Sequence, residues 1–125
     1  MNLRMAVMPE TLTICRLEPE AAVPPWATAG TFFAITRTVE ELSIVLPQEH
    51  VPASVHAEGG WRAFKIEGPI PFSAVGVLAS VVGPLARSGI SLFAISTFNT
   101  DYILVRTDQL EAARLALSRV GHAVW

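Results

Sequence analysis

The pattern of apolar and polar positions is clearest in the second half of the chain. Trp61 to Glu67 (WRAFKIE) reads as a strand, with Trp61, Ala63, Lys65 and Glu67 on one face. Gly68-Pro69-Ile70-Pro71 stops it. Val75, Leu78, Ala79, Val82, Leu85 and Ala86 then recur at helical spacing, and Ser73 stands where its hydroxyl can cap the first turn. Pro84 lies inside this helix and predicts a bend. Gly89 suits the left-handed position just past its end. Ile90 to Thr97 and Tyr102 to Arg106 read as strands joined by a turn at Phe98-Asn99-Thr100-Asp101. Asp108 is placed to cap a second helix with the apolar face Leu110, Ala113, Leu117 and Val120. Gly121 closes that helix, and His122 to Trp125 is a short last strand. The order β-α-β-β-α-β is the ferredoxin-like split unit, which makes the fold class α+β.

The first half is less regular. Leu3 to Met8, Thr11 to Leu17, Phe32 to Arg37 and Leu42 to Leu46 read as strands. The segments where helices would fall, Pro19 to Ala29 and Pro47 to Gly60, are rich in proline and predict a turn or two of helix at most. Residues 32–45 (FFAITRTVEELSIV) and 92–105 (LFAISTFNTDYILV) align at a spacing of 60 residues, pairing Phe33 with Phe93, Ala34 with Ala94, Ile35 with Ile95 and Val45 with Val105. Glu41 then falls opposite Asp101. The chain therefore reads as a duplicated unit. Residues 1–60 form a first copy with shortened helices, and residues 61–125 form a second, complete copy.

Composition narrows the function. Just over half of the 125 residues are apolar, which can supply a core, and the formal net charge is −2. No basic stripe suggests nucleic acid as a partner. The longest apolar stretch, Val75 to Ala86, is interrupted by Gly76, Ser80, Gly83 and Pro84 and falls short of a membrane span, so the expected location is cytoplasmic. The single Cys15 fits a reducing compartment and lies in an alternating strand as a packed or half-exposed thiol. His50, His56 and His122 have no metal-ligand spacing and read as surface histidines, so no metal site is expected. Gly59-Gly60 lacks the following helix and Lys-Ser/Thr of a phosphate loop. With no nucleophile beside a base, the chain reads as a non-enzyme that needs no cofactor.

Residues 68–105, GPIPFSAVGVLASVVGPLARSGISLFAISTFNTDYILV, resemble the ACT domain family. They are similar in particular to the tandem-ACT group that includes the CASTOR-type arginine sensors and the regulatory part of aspartokinases. The strongest stretch is ISLFAISTFNTDYILV, Ile90 to Val105. TFFAITRTVEELSIVLP and the PPWA at residues 24–27 carry the likeness more weakly in the first half. The resemblance implies two ACT-like units, an amino acid bound at an interface between such units, exchange of strands between them, and a homodimer with paired sheets.

An α-amino acid needs donors for its carboxylate and an acceptor for its ammonium. The turn Phe72-Ser73-Ala74-Val75-Gly76 leads into a helix whose free N–H groups can supply the donors, and Gly76 lets a ligand approach the backbone. Asp101 can pair with the ammonium, Thr97 can contribute its carbonyl or hydroxyl, and Phe98 can cover an apolar part of the ligand. By resemblance, Thr97, Phe98 and Asp101 match residues that contact the amino acid in the CASTOR-type sensors. Ala74 aligns with an acidic residue of the arginine sensors, which favours an apolar or aromatic ligand here. Each residue also has a plain structural role: Asp101 as a turn former, Ser73 as a cap, Phe98 as an interface residue. A structural, ligand-free oligomerisation protein is the alternative function, and a small enzyme ranks last.

Overall fold

The computed structural model describes residues 1–125. They form eight strands, β1 (Arg4–Val7), β2 (Leu12–Leu17), β3 (Ala34–Arg37), β4 (Leu42–Pro47), β5 (Ala57–Ile66), β6 (Leu92–Ser96), β7 (Asp101–Arg106) and β8 (Ala123–Val124), and two helices, α1 (Val77–Arg87) and α2 (Leu110–Arg119). Two compact units emerge, one of Glu10–Trp61 and the other of Met1–Pro9 together with Arg62–Trp125.

The Glu10–Trp61 unit is a βαββαβ unit with almost no helix. Its strands run in the order β3-β4-β2-β5, all antiparallel. The two helical segments are single 3₁₀ turns, Pro25–Thr28 and Gln48–His50. Pro52 withholds the donor that would carry the second turn onward, whereas Pro24 and Pro25 sit at the N-cap and first position of the first turn, where no donor is needed. Trp26 and Ala27 of the first turn still reach the core with Cys15, Leu42, Ile44 and Leu46. Burial in that core pushes the Cys15 thiol pKa up, which leaves it a neutral packing group.

The other unit carries both helices. Its core gathers Phe64 and Ile66 of β5, Val77, Val81 and Leu85 of α1, Ile103 and Val105 of β7, and Ala113, Ala116 and Leu117 of α2. β7 pairs with both β5 and β6. On the other side of β5, the neighbour is β1: Met5 lies opposite Ile66 and Val7 opposite Phe64, antiparallel. β8 pairs in parallel with the outer side of β1. The N-terminal strand therefore occupies the slot beside β5 that the last strand of a βαββαβ unit would take, and β8 is displaced outward. Arg4 spans both neighbours, with its guanidinium 2.9 Å from Glu67 and 5.1 Å over the Trp125 ring.

Several sequence expectations are corrected at this level. Ser73 does not cap α1. The helix begins at Val77 behind Gly76, which has φ +82° and offers no side-chain cap. The buried stripe is consequently Val77, Val81 and Leu85, with Leu78 beside it, while Val75 is 86% exposed. Asp108 caps nothing either, since it sits within a 3₁₀ turn, Thr107–Gln109, that precedes α2. Val120 is exposed at the end of α2. Gly89 and Gly121 do close their helices in the left-handed conformation, and Ile90 N–H and His122 N–H reach back to the Leu85 and Leu117 carbonyls.

His122 is buried, not superficial, at 4% exposure. Pro84 has no N–H, so the Ser80 carbonyl one turn earlier lacks its helical donor. The His122 Nε2–H lies 2.9 Å from that carbonyl, and Nδ1 accepts the Leu3 N–H at 3.0 Å. A backbone N–H can only donate, so these partners select the neutral tautomer protonated on Nε2. One imidazole thus fills the gap left by Pro84 and ties α1 to the start of β1.

The two hairpins correspond at a spacing of 59 residues and not 60. The β3–β4 loop closes on Arg37 opposite Leu42, and the β6–β7 loop on Ser96 opposite Asp101, a spacing of 59. The core-facing Ile44 and Leu46 then match the core-facing Ile103 and Val105. At a spacing of 60 they would match Leu104 and Arg106 and point to the wrong face. Position 101 corresponds to Leu42, so Glu41 is not the counterpart of Asp101.

Candidate functional site

The turn after β6 is held by Thr97. Its N–H donates to the Thr100 carbonyl at 2.8 Å, and its hydroxyl donates to that carbonyl at 3.0 Å and accepts the Thr100 N–H at 3.3 Å. Thr38 makes a comparable turn between β3 and β4, with its N–H on the Glu41 carbonyl at 2.9 Å. Asp101 is the first residue of β7, and its backbone belongs to the ladder opposite Ser96. Thr97 performs the turn-forming job that Asp101 could have done. The Asp101 side chain is half-buried and makes no hydrogen bond or ion pair within the chain.

A second loop is stitched to this turn. The Thr100 hydroxyl donates to the Ile66 carbonyl at 2.7 Å, and the Ile70 N–H donates to the Asn99 carbonyl at 2.7 Å. Gly68 sits at the seam, where a Cβ would come within 2.8 Å of the Asn99 carbonyl oxygen. Residues 68–76 are thereby carried past the turn before the chain enters α1.

Between the turn and the start of α1 lies an open pocket of about 400 Å³. Of the eight residues expected from the sequence, Phe72, Ala74, Gly76, Thr97, Phe98 and Asp101 line it; Ser73 and Val75 lie on the same segment but are not part of the lining. The residues that sequence reasoning did not single out are Ile70, Pro71, Val77, Leu78 and Ala79 on the helix side and Ser96, Asn99 and Thr100 on the turn side. Asn99 and Thr100 belong to the turn already marked by the sequence, whereas Ser96 carried no readable signal.

The chemistry of the lining is sharply divided. Asp101 is the single charged side chain. The first intrahelical bond of α1 runs from the Ser80 N–H to the Gly76 carbonyl, so the N–H groups of Val77, Leu78 and Ala79 have no partner within the helix, and no side chain caps them. The Ser80 hydroxyl donates to the Val77 carbonyl at 2.7 Å. Glycine is required at position 76 by its positive φ and not by crowding, since a Cβ there would meet nothing within 4 Å. At the rim, Phe72 and Phe98 are 77% and 79% exposed and meet edge to face, with ring centroids 4.9 Å apart and planes at 87°. No group of three or more His, Cys, Asp and Glu side chains is placed to hold a metal ion. No helix is long and apolar enough to cross a membrane.

Comparison with known proteins agrees with this architecture. The ACT-domain model matches residues 56–119, and a separate N-terminal-domain model matches residues 10–54. The human cytosolic arginine sensor for mTORC1 subunit 1 is 34% identical over 107 residues, which cover 79% of this chain and 32% of the sensor. The chain therefore spans about a third of the length of that curated relative. Among solved structures, Atu0741 from Agobacterium tumefaciens superposes with a TM-score of 0.95 at 38% identity, over 100% of this chain and 93% of the other. The regulatory subunit of aspartate kinase from Thermus flavus shares the fold, with a TM-score of 0.65 at 13% identity, over 93% of this chain and 95% of that one. With a family model covering half of its length and its own βαββαβ units in agreement, this chain belongs to the ACT-domain family.

Proposed function

We propose that this chain is a regulatory module that binds a free amino acid in the pocket between the start of α1 and the β6–β7 turn, and that it acts by binding and not by catalysis. The supporting observation is the pairing of opposite electrostatic ends across one cavity. A carboxylate with no partner of its own, Asp101, faces the uncapped N-terminus of α1. A zwitterion fits both: its ammonium against Asp101 and the Thr97 carbonyl, its carboxylate against the Val77 to Ala79 N–H groups. The Thr97 hydroxyl is committed to its turn and takes no part. The relative named for arginine sensing supports an amino-acid ligand as a class.

The pocket is open to solvent, and in this reading a second copy of the chain covers it, giving a cytoplasmic homodimer whose stability depends on the ligand. Such a ligand acts only through its differential affinity for the two states it connects. Calorimetry and thermal shift against the twenty amino acids, alongside light scattering, test this directly. The expected outcome is one or a few binders, with Asp101→Asn weakening them by about tenfold or more because a charge-assisted contact is lost. If none of the twenty shifts the protein and none travels with it through purification, the reading falls.

A second reading has one observation in its favour. Phe72 and Phe98 form an exposed apolar rim, with Val75 exposed on the same segment as Phe72, and such a rim would suit a permanent protein contact. A ligand-free oligomerisation module would show a fixed dimer indifferent to amino acids, and Phe98→Asp would dissociate it.

A further inference from the structure

We propose that the edge-to-face pair Phe72 and Phe98 is the subsite for the ligand's side chain, and that the ligand class is the neutral, apolar or aromatic amino acids. This inference rests on the amino-acid reading above. Asp101 is the one acidic side chain of the pocket, and no basic one lines it. A zwitterion with a neutral side chain presents one cation and one anion, and these are met by one carboxylate and one helix N-terminus. Arginine or lysine brings a second cation that has no counter-ion among the lining residues. Aspartate or glutamate brings a second anion that Asp101 repels.

The apolar surface points the same way. Two phenylalanine side chains both more than three-quarters exposed are uncommon neighbours on a monomer surface, and here they contact each other at the mouth of the cavity. The crevice between Ile70, Pro71 and the two rings encloses about 270 Å³ of further, mostly apolar space next to the main pocket. An apolar side chain lying there would remove both ring faces from water. A guanidinium over the same rings gains a cation–π contact, but phenylalanine is a poorer platform than tryptophan, and the interaction is weak at an exposed rim. It does not replace a missing carboxylate.

The rings stand on exposed turn positions outside the core, so replacing them leaves the fold intact. The test is calorimetry on the full chain with phenylalanine, leucine and methionine as one group, arginine and lysine as a second, and alanine as a small neutral reference. Wild type is expected to bind the best member of the first group at least tenfold more tightly than either basic amino acid. Phe98→Ala and Phe72→Ala are expected to weaken the large apolar ligands on the order of tenfold while changing alanine affinity little. Arginine or lysine binding as tightly as the apolar group would overturn the inference and leave the amino-acid reading standing. Equal losses for alanine and phenylalanine in the ring variants would overturn the subsite assignment. Absence of binding by all six would remove the amino-acid reading beneath it.

Discussion

The distribution of tasks around the β6–β7 turn leaves one polar side chain without a structural duty. Thr97 closes the turn with its hydroxyl and N–H, and Thr100 anchors it to the Ile66 carbonyl, so Asp101 has no structural duty for its carboxylate. Gly68 contributes by its lack of a side chain, because it lets the 68–70 segment lie against Asn99. A methyl group 2.8 Å from a carbonyl oxygen forces backbone to move, since neither partner is a flexible side chain. Gly68→Ala is therefore expected to cost about 1–3 kcal/mol in denaturant unfolding. It should also weaken any pocket ligand without touching it. An unchanged unfolding midpoint would show that the seam is slack.

At the level of the element, α1 depends on a group outside itself. Pro84 takes away the donor for the Ser80 carbonyl, and the His122 Nε2–H restores it. His122→Leu should cost about 1–3 kcal/mol, because the Ser80 carbonyl and the Leu3 N–H both lose a partner in a buried place. Pro84→Ala supplies a backbone N–H to Ser80. In that background, the loss on removing His122 should shrink by about 1 kcal/mol. A strictly additive double-mutant cycle would show that the proline and the imidazole are not coupled. The helix N-terminus, by contrast, is left without a cap behind Gly76, which keeps its first amides available to the pocket.

For the molecule as a whole, each compact unit has a core made of its own residues, and the first nine residues of the chain pack with residues 62–125. Met5 is fully buried in that second core, opposite Ile66. Met5→Ala should destabilise the unit by about 2–5 kcal/mol. If the units open separately, hydrogen exchange will speed up in α1, β7 and α2 while β2 to β4 keep their protection. A uniform rise across both units would mean that they unfold as one. The first hairpin lacks a counterpart of Asp101. With the copies aligned at 59 residues, Leu42 stands where Asp101 stands, so the first copy lacks the carboxylate.

Much of this was legible along the chain because it depends on neighbours in sequence. Period-two and period-3.6 patterns marked the strands and both helices, the proline-rich segments hold helical stretches of a single turn, and the turn read at residues 98–101 lines one side of the pocket. Where α1 starts was not legible. The run from Val75 to Ala86 is apolar on every side, so the pattern could not show which face turns inward, and Gly76 decided it. Nor could a one-residue slip between copies be seen by matching letters, since only the hairpin ladders define which side chain faces the core. The place of β1 beside β5, the burial of His122 and the seam at Gly68 all join residues far apart in the chain. Their energies come from backbone donors and acceptors that are matched only when the fold brings them together, and a linear sequence carries no local mark of such a match.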